Sequence, residues 1–183
     1  MEEGLIKGIF PEGFPSAEET AADYSPLVLA FMGDSVYELM VRTRLVTGGN
    51  RPVKTLHADK VSYVKADAQA FLAKAIREEL NPLERSVMKR GRNAHSHTVA
   101  KHASVEDYRF ATGFEALLGF LWLSGQHERL SELVELGFRK LKERDTAAGK
   151  DSAGNDSAAA GKGSAGTGDN NAGAENDSAG TEE

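Results

Sequence analysis

Three carboxylates stand in two otherwise apolar stretches of this chain. Residues 26–41, PLVLAFMGDSVYELMV, hold only Asp34 and Glu38 as charges, and residues 110–124, FATGFEALLGFLWLS, hold only Glu115. A helix that is apolar nearly all round is expected to be buried, and a buried carboxylate is costly unless it is paired or bound to a metal. Two such helices packed so that Asp34 and Glu115 meet would make a small acidic pocket for a cation. Gly33 beside Asp34, and Gly113 and Ala116 around Glu115, leave space for a backbone or a phosphate to approach. Oxygen ligands in a chain without cysteine suit Mg²⁺, or Mn²⁺, better than zinc. The other reading of the same residues is a pair of buried ion bridges to arginine, and spacing alone leaves both open. Asp34 and Glu38 are four apart and share one helix face.

The elements that must carry these acids have readable starts and stops. Ser25-Pro26 sets an N-cap before a proline at the first helical position, so the first acid-bearing helix is expected from about 26 to 46, stopping at Gly48-Gly49. Asn50-Arg51-Pro52 restarts a helix. The segment that follows places Leu56, Val61, Val64, Ala68, Phe71, Leu72 and Ile76 at helical spacing, which predicts one long amphipathic helix. Asn81-Pro82 opens a short helix with Glu84 in its first turn and Gly91 at its end. Residues 91–103, GRNAHSHTVAKHA, have no apolar period and read as an exposed loop. Ser104 with Asp107 resembles a capping box and starts the helix that carries Glu115. A last helix over about 127–144 turns Leu130, Leu133, Val134, Leu136, Phe138 and Leu141 inward. There is no alternating strand pattern and no internal repeat. The expected fold is all-α, with roughly five to six helices or more.

Composition divides the chain into three. Residues 1–23 form an N-terminal arm with an apolar patch, Leu5, Ile6, Ile9 and Phe10, expected to dock on the body or on a partner. Residues 24–144 form the helical domain, long enough for a real core. Residues 145–183 are low in hydrophobics and are expected to be a disordered acidic tail. The net charge of −6 comes from that tail, with eight acids against two lysines, because residues 1–144 balance 20 acidic with 20 basic residues. Residues 42–109 hold 14 Lys and Arg against 7 Asp and Glu, with four of the five histidines, the pattern of a polyanion-binding face. Solvated helix faces would give the same count. The absence of cysteine excludes a disulfide framework and a thiolate zinc site and fits a reducing, cytoplasmic setting. The first residues lack the basic and apolar regions of a signal peptide. The apolar runs are broken by charge short of the ~18 residues of a membrane span.

The motifs carry a family resemblance. LAFMGDSVYELMV resembles the signature helix of ribonuclease III nuclease domains, where a Gly-Asp pair follows an apolar stretch, and TGFEALLGFLWL resembles their second catalytic helix. HADKVSYVKADAQA, RGRNAHSHTVAK and YRFATGFEALLGFLWL are similar to the short branch, mini-ribonuclease III. The order and spacing of four segments agree over about 25–142. The resemblance implies a compact helical ribonuclease-III-like nuclease domain without the double-stranded-RNA-binding domain of longer members. It implies a homodimer that cleaves double-stranded RNA with Mg²⁺, leaving 5′-phosphate and 3′-hydroxyl ends. It implies maturation of large-subunit (23S) ribosomal RNA, with a ribosomal protein as helper. It transfers catalytic and metal-binding roles to Asp34 and Glu115. Larger members have further carboxylates four residues before the Asp and three before the Glu, where this chain has Ala30 and Thr112. Glu38 is not one of the shared ligands, and its expected role is a contact behind them or a structural pair.

The RNA face is expected around 90–102. Arg90, Arg92 and Lys101 stand there among the short polar donors Asn93, His95 and His97. Duplex RNA is read largely through shape, 2′-hydroxyls and phosphates, which such donors suit. Lys54, Lys60 and Lys65 are expected only to solvate the long helix. Tyr37, Tyr63, Phe114 and Trp122 are expected in the core or a dimer seam. The competing reading is a duplex-RNA-binding dimer that does not cut, since two carboxylates of the larger family are missing.

Overall fold

The capping signals of the sequence become helix starts. In this computed structural model, residues 18–94 and 104–154 are described. The chain order is α1 (Glu18–Asp23), α2 (Pro26–Thr47), α3 (Val53–Val64), α4 (Ala66–Ala75), a 3₁₀ turn (Arg77–Glu79), α5 (Pro82–Asn93), α6 (Val105–Leu123) and α7 (His127–Gly154). The described residues contain no strand. Ser25 accepts a hydrogen bond from the Val28 backbone N–H, 3.3 Å, ahead of Pro26. Asn81 and Glu84 exchange the two bonds of a capping box, both 2.9 Å. Ser104 accepts from the Asp107 N–H at 3.0 Å and donates to its carboxylate at 2.8 Å, so the N-cap forms and Asp107 bonds the capping hydroxyl. α2 ends at Gly48-Gly49, as its sequence predicts, with Gly49 at φ 150°.

α6 is the central helix of residues 1–147. It is buried along Ala111–Gly113 and Phe114, and again from Ala116 to Leu121, and α2, α4 and α5 pack around it. α2 and α6 approach backbone to backbone. A Cβ on Gly33 would stand 1.8 Å from the Glu115 carbonyl oxygen, and one on Gly119 would stand 2.0 Å from that of Leu29. Only glycine permits so close a crossing. Beyond the crossing, Tyr37 meets Phe114 edge-on, with ring centroids 5.2 Å apart.

Four expectations are corrected. The long helix predicted after Pro52 is two helices, because Lys65 is extended (φ −68°, ψ 150°) between α3 and α4. Carbonyls there are taken by side chains outside α3, the Tyr37 hydroxyl on Tyr63 at 3.1 Å and the Gln69 amide on Val64 at 3.2 Å. Gly91 does not end the short helix. α5 runs on to Asn93, and Gly91 is buried where a Cβ would meet Ala116 at 2.6 Å and Gly113 at 3.0 Å. α2 is not buried all round: Leu29, Ala30, Gly33, Val36, Tyr37 and Val41 face the core, while Phe31 is 77% exposed. α7 continues to Gly154 rather than stopping near 144. The core and the site belong to the unit of residues 1–147; of the second unit, 148–183, the description reaches only Gly154. The arm's apolar patch lies outside the described residues. At the arm's end, Ala21 is fully buried and Arg90 donates to the Ala22 carbonyl at 2.6 Å.

Candidate active site

The crossing of α2 and α6 brings Asp34 and Glu115 together. Gly33 touches the Glu115 backbone, so the next residue, Asp34, comes out beside the Glu115 side chain. Asp34 lies at the exposed edge and Glu115 deeper. Burial pushes the Glu115 carboxyl up to about 8, the negative charge of Asp34 pushes in the same direction, and a hydrogen bond from Gln69 pulls back. Asp34 is also raised, first by burial and then by Glu38, with Lys60 opposing. Two raised carboxyls in a partly desolvated place, one of them raised by the charge of the other, suit a cation. No arginine partners either acid, which sets aside the ion-bridge reading among the described residues.

The carboxylates missing at Ala30 and Thr112 are not replaced by other ligands at those positions. Ala30 is buried, and the Thr112 hydroxyl turns back to the Tyr108 carbonyl, 3.0 Å away. Among the described residues no three His, Asp or Glu side chains cluster as a metal cage. The donor set at Asp34 and Glu115 is all oxygen, mutually repelling and open on the Asp34 side, which fits a hard divalent ion that keeps water or phosphate oxygens over much of its shell.

Glu38 belongs to an ion-pair cluster beside the site. Its carboxylate accepts from Arg42 Nε at 2.8 Å, from a second Arg42 nitrogen, and from Lys60 at 3.1 Å. The Arg42 bonds, then Lys60, hold it below the usual carboxylate range. Lys60 therefore pairs with Glu38, and its charge also favours ionised Asp34, rather than merely solvating its helix. Gln69, a neutral residue on α4 that carried no signal in the sequence, is buried and donates to the Val64 carbonyl.

Arg90, Arg92 and Asn93 lie in the last turn of α5, not in a loop. Arg90 is tied to Ala22, and Arg92 lies over the Phe110 ring, 5.4 Å from its centroid, with its Nε donating weakly to Asn93 at 3.4 Å. A Cβ on Gly113 would meet the Arg92 backbone N at 3.2 Å, so this basic turn is seated on the helix that carries Glu115. His95, His97 and Lys101 lie outside the described residues. Tyr37, Tyr63 and Phe114 are core or core-packed residues. No described helix is long and apolar enough to cross a membrane.

Residues 27–126 match the ribonuclease III domain family. The chain belongs to the mini-ribonuclease III branch of that family. It is 48% identical over 126 residues to the Mini-ribonuclease 3 of Thermoanaerobacter sp. (strain X514), covering 69% of this chain and 89% of that protein. It is 43% identical over 128 residues to the Mini-ribonuclease 3 of Clostridium tetani, covering 69% of this chain and 85% of the relative. A crystal structure of a Fusobacterium nucleatum protein superposes with a TM-score of 0.59 at 29% identity, over 64% of this chain and 94% of that one. The ribonuclease III match spans α2 to the start of α7, and so includes both acids and the helix crossing that joins them.

Proposed function

We propose that this protein is a metal-dependent endoribonuclease that hydrolyses double-stranded RNA at Asp34 and Glu115, leaving 5′-phosphate ends. The observation that carries the reading is the meeting of these two acids across a glycine crossing inside a ribonuclease III domain. When bound, Mg²⁺ or Mn²⁺ would neutralise charge at phosphorus and acidify an attacking water. The chain's part is to hold the site in shape. The α2–α6 crossing fixes the spacing of the acids, burial and mutual repulsion favour uptake of a cation, and Lys60 adds positive charge at the open edge. Arg90, Arg92 and Asn93 on α5, with Lys101, His95 and His97, would meet RNA phosphates and 2′-hydroxyls.

A homodimer completes the proposal. Along α2 the apolar side chains Leu27, Val28, Phe31 and Leu39 are exposed on a helix whose other side is core, and an unpartnered apolar stripe of this kind marks an association surface. A two-fold partner there would supply a second Asp34–Glu115 site for the second strand. Following the branch the chain resembles, the substrate is a base-paired stem of the large-subunit (23S) ribosomal RNA precursor, processed in the cytoplasm with a ribosomal protein as helper.

The test is incubation of duplex RNA and of the separated strands with the purified protein, with Mg²⁺ and with chelator. Cleavage of the duplex alone, only with metal, and 5′-phosphate ends are the expected results. Binding of duplex without cleavage would establish the second reading, a non-cutting RNA-binding dimer, which the side chains at Ala30 and Thr112 favour.

A further inference from the structure

Between the C-terminal half of α2 and the start of α3 lies a recess of about 250 Å³. Val46, Val53 and Leu56 give it an aliphatic lining, and Arg42, His57 and Lys60 bring basic groups to it. Val46 and Val53 are each more than half exposed, so the lining is open to solvent. Asp34, Glu38 and Arg42 follow one another at intervals of one turn near one face of α2. Each step rises ~6 Å, which puts the recess within a few nucleotides' length of the acid.

The basic groups are in excess. One oxygen of Glu38 accepts from two nitrogens of Arg42 and from Lys60. Arg42, four residues on, neutralises Glu38 by itself, so Lys60 leaves the cluster with a net positive charge. Arg42 has five N–H groups and Lys60 three, and Glu38 takes only two and one of them. His57, one turn before Lys60, has no hydrogen bond or ion pair among the described residues. A network that only tied α3 to α2 explains neither the surplus charge nor the unpaired imidazole beside it.

The chemistry selects the occupant. Free phosphate has no use for aliphatic walls, and an apolar chain has none for the cations. At this volume the recess falls just below the ~300 Å³ of ordinary small-ligand pockets. A single ribose–phosphate unit matches all three features, with sugar C–H groups, an anion, and a 2′-hydroxyl that donates and accepts. A neutral imidazole also donates and accepts.

We propose that this recess holds a ribose–phosphate unit of bound duplex RNA, with Arg42 and Lys60 on the phosphate and His57 on the 2′-hydroxyl. The inference rests on the duplex-RNA reading above. It adds a contact surface on α2 and α3 to the basic turn of α5, and it fixes the RNA to the same helix that carries Asp34.

The chain has no cysteine, so Val53→Cys places a single thiol at the recess. In the full chain, with chelator to prevent cleavage, its reaction with a chromogenic aryl disulfide is expected to slow about fivefold or more at saturating duplex RNA. Ser131→Cys, on α7, should keep its rate. Duplex DNA at equal occupancy should protect less, for want of 2′-hydroxyls. Arg42→Gln is expected to weaken duplex binding about fivefold and to flatten the salt slope by roughly one unit, and His57→Leu to raise KM about threefold with kcat held. An unchanged thiol rate in Val53→Cys with RNA bound, or equal slowing in both cysteine variants, would overturn the proposal. So would a thiol already slow before RNA is added, which would mean that the chain itself fills the recess, or an Arg42→Gln variant that melts lower but keeps the salt slope. Wild-type protein that bound no duplex RNA would instead remove the RNA reading as a whole.

Discussion

Gly33 and Glu115 meet backbone to backbone: a methyl group on the glycine would stand 1.8 Å from the carbonyl oxygen of the acid-bearing residue. The two helices that carry the acids are thus held at the closest separation a protein allows, and the site's dimensions follow from that contact. Gly33→Ala must push α2 off α6. Overpacking of this severity is expected to cost about 3 kcal/mol and to reduce cleavage even in molecules that stay folded, since Asp34 moves with its helix. Chemical denaturation and single-turnover cleavage measure the two effects. A variant of wild-type stability and rate would mean the crossing is not rigid.

Charge removal at the site should separate stability from activity. Glu115 titrates at about 8 in the folded protein against an ordinary 4.5. Between those values the folded state keeps a proton that the unfolded chain has released. The stability contributed by the proton is full below the ordinary value and is lost as pH rises toward 8. Asp34, also raised, acts in the same direction. In chelator, the melting temperature is therefore expected to fall from about pH 5 to about pH 8, and added Mg²⁺ should oppose the fall. Asp34→Asn should abolish cleavage yet raise metal-free stability at the alkaline end, because it removes the charge that opposes ionisation of Glu115. Glu115→Gln should likewise abolish cleavage, and the double variant should be little worse than either single one. A metal-free melting temperature that climbed with pH would contradict the assignment.

The exposed stripe on α2 predicts a concentration-dependent enzyme. Phe31→Glu introduces charge at its most exposed apolar side chain, 77% accessible in the single chain, and is expected to yield monomers with little cleavage and a nearly unchanged melting temperature. Sedimentation equilibrium at micromolar protein reads the first effect. Wild-type protein that sedimented as a monomer while remaining fully active would dismiss the dimer.

For the basic turn of α5, Arg90→Ala with Arg92→Ala should weaken binding to many duplex sequences alike and flatten the dependence of affinity on salt by roughly two units, one for each lost phosphate contact. The structure adds a cost that an exposed loop would not carry. Arg90 bonds the Ala22 carbonyl and Arg92 covers Phe110, so stability should fall by about 1 kcal/mol. Anisotropy titrations at several salt concentrations check the slope, and an unaltered slope with unaltered affinity would move the RNA face elsewhere.

The helix starts were legible because their signals are local: Ser25, Asn81 and Ser104 each cap a backbone N–H within three residues. That Asp34 and Glu115 could meet was legible because each is an acid with a small neighbour in an otherwise apolar stretch, although spacing alone left the role of the pair open. The break at Lys65 was not, because its carbonyls are satisfied by Tyr37 and Gln69, one of them 26 residues away in sequence. Gly91 misled for a related reason: a glycine marks a helix end or a close contact according to what packs opposite, and Ala116 and Gly113 decide it here. Phe31 shows the limit of apolar periodicity, which identifies a face that avoids water but not whether core or partner covers it. Gln69 escaped because an uncharged polar residue in an amphipathic segment carries no sign of burial until its neighbours are in place.

Tyr37 gives the molecule an optical reporter of its own. Its phenol is fully buried and edge-on to Phe114, the residue before Glu115, and its hydroxyl is bonded to the Tyr63 carbonyl at the end of α3. A ring held rigidly in so asymmetric a setting should give a near-ultraviolet circular dichroism band. The intensity of that band would follow the seating of α2 against α6, so assembly of the site could be watched in the unlabelled protein, before any substrate is added.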